Sequence, residues 1–183
     1  MHKIASLFQR NDDTDHLVRD ELVSGAEWVA LGEGVATQKW DGTCCLVRSG
    51  RLYRRHEVKP GKTTPPWFEA VEQDERTGAV IGWIPVGDSP QDQWHRDAFD
   101  ATLPDGTYEL CGPKVQGNPE GLPQHGLLRH GAIVLEDAPR TFAALKTYFA
   151  THPIEGIVWH HPDGRMVKIK ARDFGLRRGI AMP

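Results

Sequence analysis

Lys39-Trp40-Asp41-Gly42-Thr43 places a primary amine, one spacer and an aspartate–glycine turn at the mouth of an apolar run. A neutral lysine amine is a nucleophile, and at phosphorus it can displace a leaving group and carry a nucleotide covalently. To do so it must be partly deprotonated, so its pKa has to fall well below about 10.4 through desolvation or neighbouring positive charge. Asp41 would orient the lysine or the turn, and Gly42 would let a backbone approach a nucleotide closely. Taken alone, the pattern also fits an exposed hairpin turn with a surface lysine. Three downstream pieces supply what the chemistry needs. Tyr108-Glu109-Leu110 puts a carboxylate on a strand, where it can accept hydrogen bonds from a ribose hydroxyl. Glu155 opens Glu155-Gly156-Ile157-Val158-Trp159, and an acid at the mouth of a core-like strand suits a divalent metal that neutralises a triphosphate. In Val167-Lys168-Ile169-Lys170, period 2 gives the lysines one face and the apolar residues the other. Two ammonium groups side by side repel unless an anion lies between them, and a nucleotide phosphate is the natural anion. Each piece alone also reads as an edge strand with solvated charges; the ordered set of four reads as a nucleotide site.

The elements that must position these residues are short. Glu27 to Leu31, Cys44 to Arg48, Arg51 to Glu57, Trp83 to Val86, Thr107 to Cys111 and Ala132 to Leu135 read as strands. Ser49-Gly50 is a hairpin signal between the second and third of these, and Pro162-Asp163-Gly164 joins Glu155 to His160 with Arg165 to Lys170 in another hairpin. Glu69 to Arg76 and Gln91 to Ala101 read as helices, as does Phe142 to Phe149 with Thr141 as its N-cap. Lys59 to Pro66 and the glycine- and proline-rich Gly112 to Gly126 are loops. Mostly antiparallel strands with flanking helices make the fold class α+β.

At 183 residues the chain has the size of one ordinary domain with a real core. It is 39% hydrophobic and 26% charged, which excludes a disordered chain, and no apolar run approaches the roughly 20 residues a membrane crossing needs. Without a long apolar stretch after Met1-His2-Lys3, and with three cysteines of which two are adjacent, a reducing cytoplasmic setting is expected. The net charge of −3 argues against a general polyanion binder, yet Arg165 to Arg178 holds six basic residues against Asp173 alone. Such a patch suits a phosphate-rich ligand at one place and equally a solvated charged face.

The series K-W-D-G-T, Y-E-L, E-G-I-V-W and V-K-I-K resembles the motifs of the covalent nucleotidyltransferase superfamily of RNA ligases, DNA ligases and capping enzymes. With Gly82-Trp83-Ile84-Pro85-Val86, Cys44-Cys45, Gly117-Asn118-Pro119 and His130-Gly131-Ala132, it is most similar to the small stand-alone vertebrate type of 5′-to-3′ RNA ligase. The resemblance runs from about residue 26 to about residue 176. It implies a single ligase-type nucleotidyltransferase (ATP-grasp-like) domain over residues 1–183, acting as a monomer on ATP, with Mg²⁺ or Mn²⁺, and on RNA ends that carry 5′-phosphate and 3′-hydroxyl groups. Lys39 would take AMP from ATP as lysyl-AMP, pass it to the RNA 5′-phosphate, and release it when the 3′-hydroxyl seals the strand in RNA repair or processing. By the same resemblance Glu109 binds ribose, Glu155 lies near the metal, and Lys168 and Lys170 hold the α-phosphate. Gln38, Asp41 and Gly42 are counted with the nucleotide-binding residues. Arg54 and Arg55 compete for a phosphate, since alternate residues face opposite ways, and the following Lys59-Pro60 favours Arg55.

Two departures from the superfamily pattern stand out. No OB domain follows the last motif, so RNA would be gripped by this domain itself, through Arg165, Arg172 and Arg177 beside Arg178. The aromatic residue that stacks on adenine is not obvious, and His130, Ile133 or Trp159 would serve, with Trp159 counted among the nucleotide-binding set. Other readings of the set are a DNA ligase, a capping guanylyltransferase, or a nucleotide- or RNA-binding protein without catalysis. Gly61-Lys62-Thr63 lacks the glycine a P-loop needs at position 56, and His160-His161 has no further zinc ligand at motif spacing. Cys44 and Cys45 read as packing residues.

Overall fold

The computed structural model describes residues 2–178 and is α+β, with mostly antiparallel sheets and few helices. Its strands in chain order are β1 (Ala5–Ser6), β2 (Phe8–Arg10), β3 (Val18–Leu22), β4 (Val35–Lys39), β5 (Thr43–Arg48), β6 (Arg51–Val58), β7 (Glu69–Gln73), β8 (Val80–Pro85), β9 (Gly106–Cys111), β10 (Gly126–Arg129), β11 (Gly156–His160) and β12 (Met166–Lys170). The helices are α1 (Glu27–Ala30), α2 (Gln93–Ala98) and α3 (Phe142–Thr151). Among the described residues the chain divides into two compact units: Asp41–His130 with His2, and Lys3–Trp40 with the residues from Gly131 onward.

The first unit is an antiparallel six-stranded sheet in the order β10-β9-β5-β6-β8-β7. Its β5–β6 hairpin closes through Ser49 (φ 52°) and Gly50 (φ 68°), the pair of positive φ values that a two-residue turn needs to match strand twist. Cys45, Val47, Leu52, Tyr108 and Leu110 are buried on one face of this sheet with Trp94, Ala98 and Phe99 packed against them. Alternation sends Cys44, Arg55 and Glu109 to the other face.

The second unit has the sheet order β1-β12-β11-β4, with β1 parallel to β12 and the rest antiparallel, beside a β2–β3 ribbon. Ile157, Trp159, Val167 and Ile169 are almost wholly buried under Leu145 and Phe149 of α3 and Phe174. Burying a side chain of this size contributes about 1.5–3 kcal/mol, so this apolar face fixes which side of the sheet is left for chemistry. The alternation expected for Val167-Lys168-Ile169-Lys170 is seen directly: Val167 and Ile169 are buried, and the two lysines are less deeply buried on the opposite face.

Three expectations are corrected. Glu27–Leu31 is a one-turn helix, not a strand, because Trp28 and Val29 are both drawn into the core, which alternation would forbid. Glu69–Arg76 is not a helix; its first five residues form the edge strand β7, paired to β8 across a bulge. Cross-strand pairing has overridden the helix preference of its Glu, Ala and Gln residues. Ala132–Leu135 forms only a single bridge, Thr37 with Val134. Thr141 is the N-cap of α3 as expected, though its side chain makes no capping hydrogen bond.

Candidate functional site

In the second unit, Lys39 ends β4, and the sheet register pairs it with Gly156, which in turn pairs with Lys170. The two lysines therefore flank a residue with no side chain. A Cβ on Gly156 would lie 2.3 Å from the Ile169 carbonyl oxygen, so glycine is required there. Glu155, just before β11, accepts from both amines: Lys39 Nζ to Oε2 at 2.5 Å and Lys170 Nζ to Oε1 at 2.8 Å. Lys39 Nζ also donates to the Trp40 carbonyl at 3.0 Å. All three side chains are at least four-fifths buried. Burial works against the Glu155 charge, but the Lys39 and Lys170 ammonium groups outweigh it and hold the carboxyl below the ordinary range. Lys170 is braced from behind, its backbone N–H donating to buried Asp173 at 2.9 Å, while Asp173 also pairs with Arg10 at 2.5 Å. Lys168 shares the lysine face in register with Val158. So does Thr37, whose hydroxyl donates to the Val158 carbonyl at 3.2 Å and lies 3.0 Å from His160 Nε2.

The first unit holds the other group. The consecutive backbone N–H groups of Asp41 and Gly42 donate to two carboxylates, Glu120 at 2.9 Å and Glu109 at 3.2 Å. Gly42 is pressed against β9: a Cβ there would stand 2.1 Å from the Leu110 carbonyl oxygen. The second oxygen of Glu109 meets His130 Nε2 at 2.8 Å, and His130 Nδ1 meets the Thr107 hydroxyl at 3.0 Å. Cys44 is the direct register partner of Glu109. Burial, then the Glu109 charge, pushes the Cys44 thiol up to about 11, with the Arg55 guanidinium beside it acting the other way. Arg55 thus lies on the Glu109 face, 3.9 Å from Glu72, whereas Arg54 pairs with buried Asp92 at 2.8 Å on the opposite face.

A family profile described as RNA ligase 1 matches residues 100–182. An RNA ligase 1 of Danio rerio is 25% identical over 223 aligned residues, covering 80% of this chain and 69% of that protein. RNA ligase 1 proteins of Rattus norvegicus and Pongo abelii are 26% and 27% identical over 219 residues, covering 78% of this chain and 67% of each. Over these stretches the chain is similar to proteins named RNA ligase 1. The alignments are longer than the chain itself, so the RNA ligase 1 relatives carry additional residues inside the matched region. The profile match contains Glu109, His130, Glu155, Lys168 and Lys170, and Lys39 lies before it.

The structure brings Lys39, Glu155, Lys168 and Lys170 to one face of the second unit, and Asp41, Gly42, Glu109 and Arg55 together in the first. It does not bring Trp159 or Gln38 to the lysine face. Trp159 is fully buried on the core side in register with Val167, and Gln38, the partner of Ile157, shares that side by alternation. Trp159 is therefore a core residue and no base can stack on it. His130 is likewise occupied edge-on by Glu109 and Thr107. Of the basic patch, Arg165 bonds Asp163 at 2.7 Å and lies 5.7 Å from the Trp28 ring, while Arg172 and Arg177 are exposed. Glu120 was not expected at all. It comes from the long loop 112–126, where a lone glutamate carries no sequence signal for the turn it contacts. The Glu155 carboxylate does not by itself make a resident cation site, because each of its oxygens already takes a lysine.

Proposed function

We propose that the chain is an ATP-dependent RNA ligase of the ligase-type nucleotidyltransferase fold, joining 5′-phosphate and 3′-hydroxyl ends. The observation that carries this reading is the Lys39–Glu155–Lys170 arrangement on a glycine-gapped sheet face, together with the likeness to proteins named RNA ligase 1. Lys39 Nζ, once it has lost a proton, attacks the α-phosphorus of ATP. A P–N bond forms, the bond to the β-phosphate oxygen breaks, and pyrophosphate leaves. A 5′-phosphate oxygen of RNA then displaces Lys39 and takes the AMP. Finally the 3′-hydroxyl attacks that 5′-phosphorus and AMP departs. Lys170 and Lys168 supply positive charge to the equatorial oxygens. Glu155, now bridging both lysines, is exchanged for phosphate when the nucleotide binds. Glu109 receives the ribose hydroxyls, and Asp41 and Gly42 shape the turn after the nucleophile. Mg²⁺ or Mn²⁺ carried by the triphosphate would supply further positive charge to its oxygens.

Incubation with ATP, Mg²⁺ and a 5′-phosphorylated RNA strand tests the reading: sealed or circular product is expected. Product with DNA alone would make the chain a DNA ligase, use of GTP in place of ATP a capping-type enzyme, and no product with any polymer a binding protein.

A further inference from the structure

We propose that Cys44, Glu109 and His130 form a binding site for a soft divalent cation such as zinc, distinct from any hard cation that accompanies a nucleotide. Sulfur, carboxylate oxygen and ring nitrogen of these three residues all lie within 4.8 Å of one another. A tetrahedral zinc centre, with its usual bond lengths, spaces such atoms about 3.3–3.6 Å apart, so the ligands close by side-chain movement alone. Their backbones are fixed by the sheet: Cys44 and Glu109 are direct partners across β5 and β9, and Glu109 pairs on its other side with Leu128 of β10, two residues before His130.

The outer contacts are those a metal-binding histidine and carboxylate require. His130 Nδ1 is held by the Thr107 hydroxyl at 3.0 Å, which leaves Nε2 aimed at Glu109. The other Glu109 oxygen is steadied by the Gly42 N–H. Such partners fix tautomer and orientation in metal sites. On binding, the cation replaces the 2.8 Å Nε2–H···Glu109 hydrogen bond, the ring proton moves from Nε2 to Nδ1, where the Thr107 hydroxyl accepts it, the Cys44 thiol gives its proton to solvent, and a fourth position stays open to water. Thiolate with imidazole selects zinc, cadmium or cobalt over magnesium. One consequence rests on the ligase reading: the cation and the nucleotide ribose compete for Glu109, so a soft metal holds the enzyme idle.

Co²⁺ titrated into the intact chain provides the test, read by the thiolate-to-cobalt charge-transfer absorption. A saturable band at one equivalent is expected, lost in Cys44→Ser and retained in Cys45→Ser and Cys111→Ser, whose sulfurs are not among the three clustered ligand atoms. Zn²⁺ should displace the cobalt and excess Mg²⁺ should not. Thr107→Val should weaken cobalt binding about ten- to hundredfold, while circular dichroism verifies that each variant is folded. No band, a band undiminished in folded Cys44→Ser, or displacement by Mg²⁺ would overturn the site. ATP should raise the cobalt concentration needed for half-saturation. A band indifferent to ATP would refute the competition, and the ribose role of Glu109 with it, while leaving the cation site standing.

Discussion

Glu155→Gln removes one negative charge from between two ammonium groups, and the geometry says what that costs. In the native chain the Lys39, Glu155 and Lys170 side chains are 19%, 10% and 13% exposed, and their net charge is +1. The substitution raises it to +2 with nothing between the amines. Breaking a buried ion pair by deleting one partner costs 3–5 kcal/mol; the residual exposure screens this, so we expect about 3 kcal/mol. For a chain of this length that corresponds to a fall in Tm of roughly 6–12 °C. Lys170→Met should behave differently, because it leaves Lys39 and Glu155 as a neutral pair, and should cost only about 1 kcal/mol. The decisive comparison is the double variant. Glu155→Gln/Lys170→Met removes the repulsion and should be more stable than Glu155→Gln alone, by about 1 kcal/mol or more. Urea titration followed by circular dichroism gives all four values. A double variant no more stable than Glu155→Gln, or a loss below about 0.5 kcal/mol for Glu155→Gln, would show that the cluster is not held together by charge.

The same carboxylate sets an acid limit. Because its folded pKa lies below the 4.5 of the free group, its stabilisation is intact above 4.5 and is lost as pH falls through the lower folded value; the acid branch of a Tm-against-pH curve should flatten in Glu155→Gln. Gly42→Ala drives a methyl to 2.1 Å from the Leu110 carbonyl oxygen, and a loss of about 3 kcal/mol is expected in the same urea titration. A fully stable Gly42→Ala would refute that close approach. Trp159→Phe should lower stability by about 1–3 kcal/mol, while the KM for ATP in the sealing assay stays unchanged. A raised KM in a stably folded variant would return Trp159 to the nucleotide.

How much of this was legible in the sequence varies from residue to residue. The lysine alternation in Val167-Lys168-Ile169-Lys170 fixed a face because period 2 and burial agree. Both hairpins were legible because Ser49-Gly50 and Asp163-Gly164 are local turn chemistry. Trp159 was misplaced although a signal existed. Once β11 is paired with β12, Trp159 falls opposite Val167 and must share its apolar side. Glu69–Gln73 was misread because a strand at a sheet edge is made by its neighbour, β8, rather than by its own residues. The Lys39–Glu155 pair and the Glu120 contact to Asp41 join residues 116 and 79 positions apart, beyond the reach of any local pattern. Arg54 and Arg55 could be separated only when one was seen against Asp92 and the other beside Cys44.

The central claim is that the Lys39 amine becomes covalently bonded to AMP. Lys39→Arg tests it most directly, since arginine keeps the positive charge opposite Glu155 but stays protonated and cannot attack phosphorus. The native chain and the variant are incubated with ATP labelled at the α-phosphate and a divalent cation, then denatured and separated on a gel. Label is expected on the native protein and none on folded Lys39→Arg. Label retained by the variant, or absent from the native protein with every nucleotide tried, would contradict the account.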